Sequence, residues 1–166
     1  DESLQNITYE LLNNKQYKLA ETLLDFATQK TTKHYDKQYE LVFIINKALS
    51  LHLQDKQSDC LSILNEYDWS AYSIVYRLAK EVLSEQYDKA AILMVEIGDD
   101  KNYKKKYQEW PLFRKFRNTE LFQNTFKSIF KEDFEYIEPQ KTQFEDIINE
   151  AKLFIENIKE DKKIMI

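Results

Sequence analysis

The chain has 166 residues, 43% of them hydrophobic and 14% aromatic, with eleven Tyr and ten Phe, a content that suits one folded domain and excludes a disordered tail. One glycine, Gly98, against a usual share of about 7%, excludes phosphate-cradling loops, dinucleotide turns and nucleophile elbows, and disfavours hairpin-rich β folds. The net charge is −5, and the single cysteine, Cys60, excludes an internal disulfide and a multi-cysteine zinc site.

Helical periodicity begins at once. Leu4, Ile7, Leu11 and Leu12 fall three or four apart, with Ser3 placed to cap the first turn. After the polar turn Asn13 to Gln16, the stripe Tyr17, Ala20, Leu23, Leu24 and Ala27 predicts an antiparallel partner. A longer helix follows with Tyr35, Tyr39, Val42, Ile45, Leu49 and Leu53, then the turn Gln54 to Gln57 and a helix with Leu61 and Leu64. In the third pair Ser70 is placed to cap a helix carrying Tyr72, Val75, Tyr76, Ala79, Val82 and Leu83. After the turn Ser84 to Gln86 come Tyr87, Ala90, Leu93, Met94 and Ile97, with Gly98 as a left-handed C-terminal cap.

Overlaying the turns aligns LLNNKQYKLAETLL with VLSEQYDKAAILM, and less closely with HLQDKQSDCLSIL, at separations of 41 and 29 residues. Helix-turn-helix units averaging about 34 residues characterise tetratricopeptide arrays. The chain resembles that family over residues 1–98. Tyr17 with Ala20, and Tyr87 with Ala90, stand where the family has a turn aromatic and a small residue permitting close helix packing. It departs from the pattern in lacking a clear small residue in the first helix, where Thr8 and Leu49 lie near the position, and in lacking a proline at the end of each unit. The resemblance implies an all-α fold and antiparallel helix pairs stacked as a short α-solenoid, whose groove in such arrays holds peptides, whole proteins and occasionally small molecules; the leading expectation is a protein-interaction or sensor module that binds a protein or peptide there. The first helices of the pairs would line that groove, which makes Tyr9, Tyr39, Tyr72 and Tyr76 candidate contacts. Their alternative role is packing between units.

Past Gly98 the composition changes. Residues 101–117 hold seven basic side chains against one acid, Glu109, interleaved with Tyr103, Tyr107, Trp110, Phe113 and Phe116, so the segment carries +6 and the remainder −11. Lys104, Lys105, Lys106, Arg114 and Arg117 are candidate contacts for a partner, with nucleic acid as the alternative ligand to protein. A second role for the aromatics is to form a core, leaving the lysines solvated. Asn118 or Thr119 starts a helix with Leu121, Phe122, Phe126, Ile129 and Phe130. Pro139 ends an acidic connector, and Thr142 with Glu145 forms a capping box before Phe144, Ile147, Ile148, Ala151, Phe154, Ile155 and Ile158. This last helix reads as a cap on the array or as a homodimer seam. Residues 99–166 are thus expected to pack with residues 1–98 as one domain.

No catalytic, cofactor or metal motif is present. His34 and His52 lack the spacing that places two ligands on one helix face. Glu96, Asp99 and Asp100 cluster at a helix end, which suits solvated surface better than a hydrolytic centre. Cys60 reads as a small core residue, with a nucleophile as the alternative. No run approaches the roughly eighteen apolar residues of a membrane span, so cytoplasmic residence is expected. The chain begins at Asp1 without an initiator Met, which suggests part of a larger bacterial multidomain protein.

Overall fold

A computed structural model describes residues 2–30, 37–138 and 144–164. Among them the fold is all-helical, with helices α1 (Glu2–Asn13), α2 (Tyr17–Lys30), α3 (Lys37–His52), α4 (Gln57–Leu64), α5 (Ile74–Leu83), α6 (Tyr87–Ile97), α7 (Lys101–Glu109), α8 (Glu120–Phe130) and α9 (Phe144–Ile164). Short 3-10 turns lie at Trp69–Ala71, Pro111–Phe113 and Phe116–Asn118. Pro139 and Thr142 fall outside the described residues.

Two compact units share the chain: Asp1–Lys56 with Gln140–Ile166, and Gln57–Pro139. The change of composition at residue 98 is therefore not where the packing divides. In the first unit α1 pairs with α2, α2 with α3, and α9 packs on α1 and α2. From Leu41 to His52 only Val42 and Lys47 escape full burial, so α3 is enclosed on nearly all sides, as expected for a helix apolar around its circumference. Two of the buried polar side chains, Thr8 and Asn46, are joined by hydrogen bonds. Thr8 Oγ1 donates to the Leu4 carbonyl at 2.9 Å, and Asn46 Nδ2 donates to Thr8 Oγ1 at 3.5 Å. At the edge, Glu21 accepts from Lys56 Nζ and Gln54 Nε2, both at 2.8 Å. Burial alone would raise the Glu21 pKa, but these hydrogen bonds and the charges of Lys56 and Lys47 outweigh it and hold the carboxyl below its ordinary value.

The second unit is built on aromatic rings. α6 packs on both α5 and α8, and Tyr107, Phe113, Phe116, Phe122 and Phe126 are all buried. The Tyr87 ring stacks on Phe116 with centroids 4.6 Å apart, while Tyr107 and Phe113 meet edge to face at 5.0 Å.

Three interhelical turns share one backbone design. Lys15, Asp55 and Glu85 have φ of 62°, 60° and 55°, left-handed values that end α1, α3 and α5. In each turn that residue donates its N–H to the carbonyl three positions back. The next residue donates to the one five back: Gln16 to Leu11 at 2.8 Å, Lys56 to Leu51 at 3.0 Å and Gln86 to Glu81 at 2.9 Å. This is the Schellman closure, built here without glycine. It sets the true register at 40 and 30 residues in place of 41 and 29. In that register Ala20, Cys60 and Ala90 are equivalent, as are Leu24, Leu64 and Met94, and all six are fully buried. Leu12, His52 and Val82 also correspond and are buried, so His52 stands at a core position.

Helix ends follow the sequence in part. Thr119 caps α8, accepting from Phe122 N–H at 3.2 Å. Gly98 ends α6 with φ 75° and ψ −153°, a positive-φ extended conformation open essentially to glycine alone, rather than the expected left-handed helical one. Ser70 does not cap α5. Asp68 accepts from the Ser70 N–H at 3.0 Å and its hydroxyl at 2.7 Å, closing a 3-10 turn, and the α5 cap position passes to Ser73. α1 starts at Glu2, which puts Ser3 inside the helix rather than ahead of it.

Candidate binding groove

The cationic segment is largely consumed by the fold of its own unit. Arg117 is only 5% exposed, and its guanidinium donates from Nε to the Tyr107 carbonyl at 2.6 Å and from Nη2 to the Trp110 carbonyl. Tyr107 lies in the last turn of α7 and Trp110 just past its end, where the Trp110 carbonyl also accepts from the Phe113 N–H at 3.2 Å, so the side chain ties the helix end to the turn that follows. Lys104 pairs with Glu132 at 2.6 Å, and Lys115 lies 4.0 Å from Glu85. Lys106 sits over the Tyr103 ring at 4.8 Å. Lys105 is open, 71% exposed and 4.0 Å from Glu109, while Arg114 is half-buried. The interleaved aromatics went inward: Tyr107, Phe113 and Phe116 are buried, and Trp110 packs edge-on against Phe113 at 5.7 Å.

The acidic cluster after α6 has structural work as well. Asp100 caps α7, accepting from the N–H groups of Asn102 at 2.7 Å and Tyr103 at 3.1 Å, and Glu96 faces Arg77 at 3.5 Å. Cys60 Sγ lies 3.7 Å from the Leu83 carbonyl, to which its thiol donates. Burial, helped by the Glu85 charge, pushes its pKa up to about 12, so little thiolate forms near neutrality.

An open groove of about 630 Å³ lies within the second unit, walled by the Leu64–Ser70 connector, α5 and α6. The connector is tied across its length by the Trp69 indole N–H, which donates to the Leu64 carbonyl at 2.7 Å. From Trp69 a run of rings extends to Tyr67 at 5.7 Å on one side and to Tyr72 at 5.9 Å on the other, and Tyr72 continues to Tyr76 at 6.3 Å. Among the described residues, none of the four candidate tyrosines lines the groove; Tyr72 touches its wall through Trp69, and Tyr76 touches Tyr72. Tyr9 is half-buried on α1 in the other unit, and the Tyr39 side chain lies outside the described residues.

The groove's charged and apolar lining was not singled out from sequence. Arg77 and Glu81 stand four apart on α5, with Lys80 between them; Lys89, Ile92 and Leu93 come from α6. A signal existed in the unbroken apolar run Ala90 to Val95, which is too wide for the stripe one helix buries. The surplus is Ile92, 67% exposed, and Val95, 59% exposed. Among the described residues, no cluster of three or more His, Cys, Asp or Glu side chains forms a metal-binding constellation, and no helix is long and apolar enough to cross a membrane. No protein-family model, curated protein or solved structure matches the chain.

Proposed function

We propose that the chain is a degenerate tetratricopeptide-like module that binds a protein or peptide, as a non-enzymatic part of a larger cytoplasmic multidomain protein. The observation that carries the binding role is the groove beside Trp69, which joins exposed apolar surface and aromatic rings to charged groups on a rigid helical frame. The repeat reading draws support from the three turns with one hydrogen-bond pattern and from the buried small residues Ala20, Cys60 and Ala90 in equivalent places. Degeneracy then explains Cys60 as the second unit's small packing residue.

The nucleic-acid alternative draws less support, because Arg117 is turned inward and Lys104 is paired. It would rest mainly on Lys105, Lys106 and Arg114. A pull-down from native extract with the chain as bait, at low and high salt and with or without nuclease, separates the two readings. The protein-binding reading expects a salt-resistant protein that survives nuclease. Recovery abolished by nuclease, or steeply lost with salt, would shift the function to the cationic segment.

A further inference from the structure

The groove's walls hold unused hydrogen-bonding capacity of both signs. Arg77 Nε and Glu81 Oε2 are buried atoms without a hydrogen-bond partner, although each side chain spends another atom on an ion pair: Arg77 Nη2 with Glu96 at 3.5 Å, and Glu81 Oε1 with Lys80 at 3.1 Å. A desolvated donor or acceptor left unpaired is unfavourable, so a ligand that completes both recovers free energy already spent on folding. Residues four apart share one helix face, which puts a donor and an acceptor side by side on α5. A peptide group offers the matching pair, a carbonyl to accept from Arg77 and an N–H to donate to Glu81.

Charge and shape narrow the occupant. Asp68 is committed to Ser70, and the charges of Lys80 and Arg77 are met by Glu81 and Glu96. Lys89 is an exposed lining charge that forms no ion pair among the described residues, one turn from the exposed Ile92. We infer that the groove binds an extended acidic peptide segment, whose backbone amide pairs with Arg77 and Glu81, whose carboxylate meets Lys89, and whose neighbouring apolar side chain covers Ile92 beside Trp69. Engagement turns Arg77 and Glu81 outward. Arg77 is able to do so because its side chain is partly exposed and its ion pair is long.

The inference rests on the protein-binding reading and names the ligand class and the site. The test is fluorescence anisotropy of the full chain with labelled nine-residue peptides. One set has Asp or Glu flanking a central Leu or Phe; the second replaces each acid by Lys; the third N-methylates the central amides of the first. The acidic set is expected to bind, with at least tenfold loss on acid-to-Lys exchange, on N-methylation, and in Lys89→Glu and Glu81→Gln chains that melt as the parent does. Lys105→Glu, outside the groove, is expected to leave affinity within twofold. Binding indifferent to peptide charge, or unmoved by Lys89→Glu and Glu81→Gln, overturns the inference while leaving a protein-binding role standing. No binding by any set also overturns it, and an empty pull-down beside that result removes the wider reading too.

Discussion

Residues 101–117 and the groove beside Trp69 belong to the same unit and present opposite relations between composition and availability. The cationic segment concentrates charge and aromatic rings in seventeen consecutive positions, yet Arg117 ties main-chain carbonyls, Lys104 holds Glu132, and Phe113 and Phe116 are buried. The groove draws ordinary residues from three separated stretches, and they retain unspent hydrogen bonds and exposed apolar surface. A side chain is available for binding only insofar as its fold has not already saturated it. Local density of charge measures supply and leaves demand out.

The sharpest way to break the contrast is to strike the aromatic core that the cationic segment serves. Phe122 is fully buried against Tyr107, Phe113, Phe116, Phe126 and Phe134. Phe122→Ala is expected to cost about 3–5 kcal/mol in urea unfolding. Next, Arg117→Met strips two charge-assisted hydrogen bonds, from the Tyr107 and Trp110 carbonyls, of which Trp110 keeps the Phe113 N–H, with an expected loss of about 2–4 kcal/mol in the same assay. A loss under about 0.5 kcal/mol would return Arg117 to the pool of surface cations. Gly98→Ala, which forces a side chain into a conformation reserved for glycine, is expected to cost about 1–3 kcal/mol and to disturb the reversal between α6 and α7. Lys105→Glu and Lys89→Glu, both exposed, are expected to shift unfolding by under about 0.5 kcal/mol, the mark of positions free for binding.

A pH titration gives a smaller signal from outside both regions. Because the folded Glu21 carboxyl lies below its ordinary pKa, its contribution is fully present above the unfolded pKa and lost as pH falls through the folded one. Glu21→Gln should therefore flatten the acid limb of the stability profile and leave its alkaline limb unchanged.

The sequence made the helices, the packing of α1 on α2 and of α5 on α6 around polar turns, the Thr119 cap and the glycine stop legible, because periodicity and caps act over a few residues; the expected α3–α4 pair is instead divided between the two units at Lys56 and Gln57. It misplaced the start of α5, where Asp68 competes for Ser70, and the turn register by one residue, because a left-handed Lys15, Asp55 or Glu85 carries no composition mark. The division into units was hidden for a different reason. It depends on α9 packing against α1 and α2, a contact between the two ends of the chain. Among the described residues, none of the candidate site residues lines the groove, and the nearest link is the ring contact of Tyr72 with Trp69. Arg77, Glu81 and Lys89 were not singled out, because unspent hydrogen-bonding capacity belongs to three-dimensional neighbours.

The most direct test is a two-dimensional amide and side-chain NMR titration of the labelled chain with the acidic peptides. Availability set by the fold predicts perturbations centred on the Trp69 indole, the Arg77 Nε–H and the amides of residues 89–93, with residues 104–106 quiet. Perturbations centred on residues 104–106, with Trp69 and Arg77 unmoved, would contradict the account.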